Sequence, residues 1–245
     1  MSGTPPTHPD AEIVEATTGF QRFLRMDVFR FRHCLFSGEW SGLRSYDVLR
    51  RGAAAAIVLY DPDRETVVLV EQFRLPALLA GSSPWQIEVA AGLIDGDEAA
   101  EAVAIREMRE ETGLSLLGEP IPIQRHLPSP GDSDESVFLF CGRVDSTAAA
   151  GVHGLAEELE DIRVVVKTLA EIETLLDQGA IESGHTLICL YWLLRHRDHL
   201  PPALGNRDCF VPPERLQSGP SGGHPHMTTG CVIASWDRAV PDLGR

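Results

Sequence analysis

The chain has 245 residues, and 36 Asp and Glu against 21 Lys and Arg leave a net charge of −15. That balance argues against sequence-independent binding to nucleic acid, which needs basic side chains on phosphates; a small phosphorylated ligand stays open, because a bound divalent cation can reverse the local charge. The longest apolar runs, residues 53–60 and 187–194, fall far short of the ~20 residues that span a bilayer, so no membrane partner is expected.

The five cysteines are widely spaced with no CxxC pair, and the opening stretch MSGTPPTHPDAE has neither a basic nor an apolar segment. Reduced thiols, no secretory signal and a cytoplasmic location are therefore expected. In chain order, residues 1–19 read as a flexible leader. Residues 28–32, Val-Phe-Arg-Phe-Arg, partly alternate and predict a strand with one wet face inside an N-terminal strand region, 20–50. Residues 53–60 and 66–72 are short apolar runs joined by Asp61-Pro62-Asp63-Arg64, the pattern of a hairpin. Trp85-Gln86-Ile87-Glu88-Val89 alternates and predicts another strand. Residues 97–111 are rich in Ala, Glu and Arg without Gly or Pro, and Gly113 stands where a left-handed helix cap belongs. Buried strands are expected over 136–141 and 162–166. Thr168 with Glu171 forms a capping-box pattern opening a helix that Gly179 closes, and residues 187–196 make an apolar helix stopped by Pro201-Pro202. The expected organisation is one α/β domain over 51–200, followed by a Gly/Pro-rich tail, 201–245.

Chemistry concentrates between Gly92 and Leu114, where 23 residues hold seven acids and two arginines. On a helix Glu107 and Glu111 stand one turn apart on one face with Glu110 adjacent, and like charges at that spacing repel unless something positive lies between them. A hard divalent ion such as Mg²⁺ supplies that charge while keeping water and phosphate ligands. Arg106, one turn before Glu110, can pair with it. The plain alternative is a solvated Glu/Arg helix face. A second acidic cluster, Glu157, Glu158, Glu160 and Asp161, precedes the strand at 162–166. Alone it reads as a charged loop, or as the source of one more ligand and a general base.

The spacing Gly92, Glu98, Arg106-Glu107-Met108, Glu110-Glu111, Gly113-Leu114 resembles the Nudix signature at all nine of its specified positions. The resemblance implies an α/β Nudix fold: a mixed β-sheet sandwiched between helices, with an N-terminal strand region for dimerisation. It also implies hydrolysis of a nucleoside diphosphate linked to another group, with Mg²⁺ or Mn²⁺ bound at the box. The stretch Gly154 to Arg163, with Glu71-Gln72-Phe73-Arg74 and Ala91-Gly92, further resembles the bacterial ADP-ribose pyrophosphatase branch, as does Pro130, sixteen residues beyond Leu114. Carried over residue by residue, the Ala91 carbonyl, Glu107, Glu111 and Glu160 are implied metal ligands. Glu158 is the implied catalytic base and Arg74 the implied phosphate contact. Gly92, Glu98, Arg106, Glu110 and Gly113 support them.

The implied reaction takes ADP-ribose and water to AMP and ribose 5-phosphate in a homodimer. The alternatives are a Nudix hydrolase of another nucleoside diphosphate sugar, or a non-catalytic ADP-ribose sensor, against which the complete glutamate set argues. One departure is clear: where the branch has a basic pair before the hairpin, this chain has Ser45-Tyr46 beside Arg44. The adenine-stacking aromatic stays open between Phe29 and Phe31. A GxSxG match at 219–223 lacks the strand–turn–helix setting of a nucleophile elbow, and His196 with His199 suits a helix C-terminus better than a metal.

Overall fold

A computed structural model describes residues 7–155, 157 and 159–200 of the chain. The tail assigned to 201–245, the GxSxG match within it, and Glu158 lie outside the described residues.

Eleven strands and four α-helices follow one another along these residues. The first three strands, β1 (Ala11–Gln21), β2 (Arg25–His33) and β3 (Arg44–Arg50), form an antiparallel sheet of their own. Here the structure corrects the expected leader, which is strand from Ala11 onward. All eleven residues of β1 are exposed, so no core-facing period marks it. Its ladder with β2 carries cross-strand ion pairs instead, Arg30–Glu15 at 3.3 Å and Arg32–Glu12 at 2.5 Å.

The second sheet has the order β10 (Val152–His153), β11 (Ile162–Thr168), β5 (Thr66–Phe73), β4 (Ala53–Asp61), β9 (Ser136–Arg143), β8 (Ile121–His126), with β6 (Trp85–Glu88) added on β5 and β7 (Ala90–Leu93) on β4. The expected hairpin is β4 (Ala53–Asp61) and β5 (Thr66–Phe73). β4 also runs parallel to β9 (Ser136–Arg143), which makes the sheet mixed. Its apolar run is continuous because both faces are covered. Ala54, Ala56, Val58 and Tyr60 enter one core with α3 (Leu169–Asp177) and α4 (Gly184–His196), while Ala55, Ile57 and Leu59 enter the other with α2 (Ala100–Thr112). The sheet sandwiched between helices is thus as the signature implied. The capping box at Thr168 and Glu171 forms reciprocally. His196 Nδ1 lies 2.7 Å from the Trp192 carbonyl, a helix-end contact rather than a ligand pose. Among the described residues no helix is long and apolar enough to cross a membrane.

Three further differences bear on the site. The helix of the signature starts at Ala100, three residues later than expected, because 95–98 form a turn with the Glu98 N–H donating to the Asp95 carbonyl at 3.3 Å. The strand β6 (Trp85–Glu88) is inverted relative to polarity: Gln86 and Glu88 are buried while Trp85 is half exposed, edge-on to Phe73. The loop carrying Pro130 docks on β3, with Leu49 N–H on the Asp132 carbonyl at 2.8 Å and Tyr46 Oη on the Gly131 carbonyl. Asp134 joins that contact by accepting from Arg50 Nε at 2.6 Å, and Arg50 reaches back to buried Asp27 at 2.8 Å.

Gly113 ends α2 at φ +69, a left-handed conformation that disfavours a side chain, and an added Cβ would stand 2.9 Å from His153 Cε1. Gly113→Ala is expected to destabilise the protein by about 1–2 kcal/mol, the cost of the left-handed region for an L-residue. Urea denaturation measures it; an unchanged midpoint would mean the cap relaxes.

Candidate active site

The site forms where the short strand β7 (Ala90–Leu93) crosses the helix α2. Register on β4 pairs Ala56 with Ala91 and Ala55 with Gly92, so the backbone of the glycine loop lies against the acidic face of the helix. Glu111 is 3% exposed, and its Oε2 accepts from the Ala91 N–H at 3.2 Å. Burial, with the Glu107 carboxylate beside it, pushes the Glu111 carboxyl up to about 8; Glu160 adds to the push, while the Ala91 N–H and Arg74 oppose it. Glu107 is also raised by burial, against the pull of Arg106.

Gly92 is the space in which Glu107 sits. A Cβ there would fall 1.8 Å from Glu107 Oε1 and 2.0 Å from its Cδ. Arg106 gathers three of the box acids, with Nη1 at 2.8 Å from Glu107 and 3.0 Å from Glu110 and Nε at 3.5 Å from Glu98. The expected Arg106–Glu110 pair is therefore present, inside a larger cluster.

From the opposite side comes the loop after β10 (Val152–His153). Its Gly154 N–H donates to the Glu110 carbonyl at 3.3 Å, which ties the loop to α2. Gly154, at φ +103, leaves room for Glu160, whose Cβ would lie 2.6 Å from an added one. Glu160 Oε2 accepts from the Leu155 N–H at 3.0 Å. Arg74, at the end of β5, gives its Nε–H to Glu88 at 2.8 Å. That buried partner was missed in the sequence, where Glu88 occupied one place in a strand alternation.

The structure thus brings Ala91, Gly92, Glu107, Glu110, Glu111 and Arg106 together, with Glu160 and Arg74 near enough to act on the Glu111 charge. Among the described residues no three His, Cys, Asp or Glu side chains already stand as a closed ligand set. Arg106 occupies Glu107 and the Leu155 N–H occupies Glu160. The donors nonetheless suit a hard divalent cation: all are oxygen, and a carboxyl raised to about 8 by burial and by the Glu107 charge beside it is one that added positive charge would ionise.

Comparison with known proteins agrees with this geometry. An ADP-ribose pyrophosphatase of Escherichia coli (strain K12) is 39% identical over 191 residues, covering 78% of this chain and 91% of that protein. A GDP-mannose pyrophosphatase of Citrobacter koseri is 35% identical over 148 residues, 60% of this chain and 76% of its own. A solved ADP compounds hydrolase superposes with a TM-score of 0.60 at 16% identity over 79% of this chain and 97% of that one, a likeness of fold. The family model of the NUDIX domain matches residues 50–187, a span that takes in the sheet, the glycine loop and the acidic helix, and the chain belongs to the Nudix family.

Proposed function

We propose that this protein hydrolyses the diphosphate of ADP-ribose, giving AMP and ribose 5-phosphate. The observation that carries the reading is Glu111: a carboxylate buried against the Ala91–Gly92 backbone, with two further acids beside it, is unfavourable unless a cation completes it. The 39% identity to an ADP-ribose pyrophosphatase supports the substrate. A divalent cation, Mg²⁺ or Mn²⁺, held by the Ala91 carbonyl, Glu107, Glu111 and Glu160, would screen the diphosphate and acidify the attacking water.

The chain's own residues supply the rest. Arg74 pairs with a diphosphate oxygen, and Glu158 takes the proton of the water that attacks phosphorus. Arg106 holds Glu107 and Glu110 in orientation, and Glu98 and Gly113 fix the ends of the loop and helix. No covalent bond to the enzyme is needed. Residues 20–50 serve as the dimerisation region of a homodimer, supported by exposed Phe20, Phe23, Phe36 and Trp40 in and around the separate N-terminal sheet. Free Cys34, Cys141 and Cys189 suit a reducing compartment such as the cytoplasm.

A second reading, another nucleoside diphosphate sugar, is favoured by the 35% identity to a GDP-mannose pyrophosphatase. Product analysis over a panel of nucleoside diphosphate compounds with Mg²⁺ separates them. AMP release is expected to be fastest from ADP-ribose. Faster release of GMP from GDP-mannose would overturn the substrate and leave the reaction class standing, whereas no turnover of any compound would return the sensor alternative.

A further inference from the structure

Arg74 and Glu88 sit at the edge of the acidic cluster and form an ion pair whose purpose the strand pairing does not explain. Glu88 is 6% exposed, on an edge strand where an apolar side chain would pack without a partner. The pair is not needed to hold the strands together. Backbone pairing already joins them, Gln72 with Gln86 and Phe73 with Trp85, and the Arg74 N–H donates to the Pro84 carbonyl at 2.6 Å. The next residue, Val89, is fixed from behind by the first turn of α4, its N–H donating to Oγ1 of buried Thr186 at 3.1 Å. Glu88 is thus carried on a rigid backbone, and its Oε2 takes the Nε–H of Arg74 at 2.8 Å.

An arginine has five N–H donors in a planar fork, and one of them is used here. Among the described residues neither Nη group of Arg74 has an acceptor, although its charge reaches Glu111. A guanidinium gripped at Nε loses most of its rotational freedom while keeping the edge that pairs with phosphate oxygens. We propose that Glu88 is a positioning residue that holds Arg74 by its Nε–H and so presents both Nη groups to the substrate diphosphate. This rests on the reading of Arg74 as the phosphate contact.

The test is a double-mutant cycle on kcat/KM for ADP-ribose with Mg²⁺, using Glu88→Gln, Arg74→Ala and the two combined. Glu88→Gln keeps shape and is expected to lower kcat/KM about tenfold, chiefly through KM, as losing one charge-assisted bond would. In the Arg74→Ala background the same change is expected to have no further effect. Glu88→Asp, which keeps the charge but withdraws it by one methylene, is measured alongside and should show the same non-additivity even if Glu88→Gln folds poorly. A structural staple would instead lower the denaturation midpoint and reduce kcat/KM equally in both backgrounds, and that result overturns the proposal. So does an unchanged kcat/KM for both Glu88 variants while Arg74→Ala is impaired, which leaves the phosphate role of Arg74 intact. An unimpaired Arg74→Ala removes the phosphate role and the positioning proposal with it.

Discussion

Replacing Gly92 with alanine is expected to lower turnover of ADP-ribose by roughly 10²-fold or more, the effect of misplacing a reacting group by about an ångström. Gly92 does not adopt a left-handed φ, so its backbone tolerates a side chain; space is what it provides. The added Cβ would overlap Glu107 at three atoms, Oε1, Cδ and Cγ, at 1.8, 2.0 and 2.6 Å. Glu107 must then rotate away from Glu111 or β7 must shift from α2. Either movement spoils the carboxylate arrangement proposed to hold the cation, so the Mg²⁺ concentration for half-maximal activity should rise as kcat falls. The far-ultraviolet circular dichroism should be unchanged, since the core on either side of the sheet is not touched. Full activity in Gly92→Ala would mean that the Glu107 position seen here is not the one used. Gly113→Ala should behave in the opposite way, with loss of stability first, because that glycine supplies a conformation and not a cradle.

What could be read from the residues alone followed how strictly each feature needs its neighbours in sequence. The acidic helix, its Gly113 cap and the Thr168–Glu171 capping box are local devices whose partners lie within four residues; the cap and the box stand as read, and the helix is present but starts at Ala100 rather than Asp97. The hairpin was legible because residues 54–59 of β4 and 67–70 of β5 are buried on both faces and so are apolar without interruption. β1 was not, because a strand exposed along its whole length carries no burial pattern, and only pairing with β2 defines it. β6 showed its alternation but not its sense: Gln86 and Glu88 turn inward because Glu182, the nearby Ser83 carbonyl and Arg74 satisfy them there, and Glu182 and Arg74 come from other parts of the chain. The docking of the Pro130 loop on Leu49 and Tyr46 spans more than eighty residues and left no mark on either segment. Within the site, the box specified which acids cluster. That Arg106 holds three of them, and that Gly154 makes room for Glu160, required the fold.

Glu111→Gln is expected to lower activity by roughly 10³-fold, the scale of removing one group that stabilises charge at the reaction centre, with partial recovery at high Mg²⁺. The same substitution should make the cation-free protein more stable at alkaline pH, and the sign follows from the carboxyl itself. Burial and the Glu107 charge hold it at about 8 in the folded chain, against an ordinary glutamate value of 4.5. Below the lower value both states hold the proton and the group adds no penalty. Between the two, the unfolded chain releases a proton that the folded chain retains, so stability falls as pH rises. Above about 8 the penalty is complete, a few kcal/mol in order of magnitude. Glutamine has no such proton, so the gap between variant and wild type should open from about pH 5 to pH 8 when denaturation is followed in EDTA. Adding Mg²⁺ should close it, because a cation that binds the ionised carboxylate stabilises the folded wild type most where the bare charge costs most. A wild type that gains nothing from Mg²⁺ at pH 8, or a variant whose pH profile matches it without metal, would remove Glu111 from the proposed ligand set. If the profile behaves as expected, the helix has given up stability at this position to keep a charge that only a bound cation satisfies.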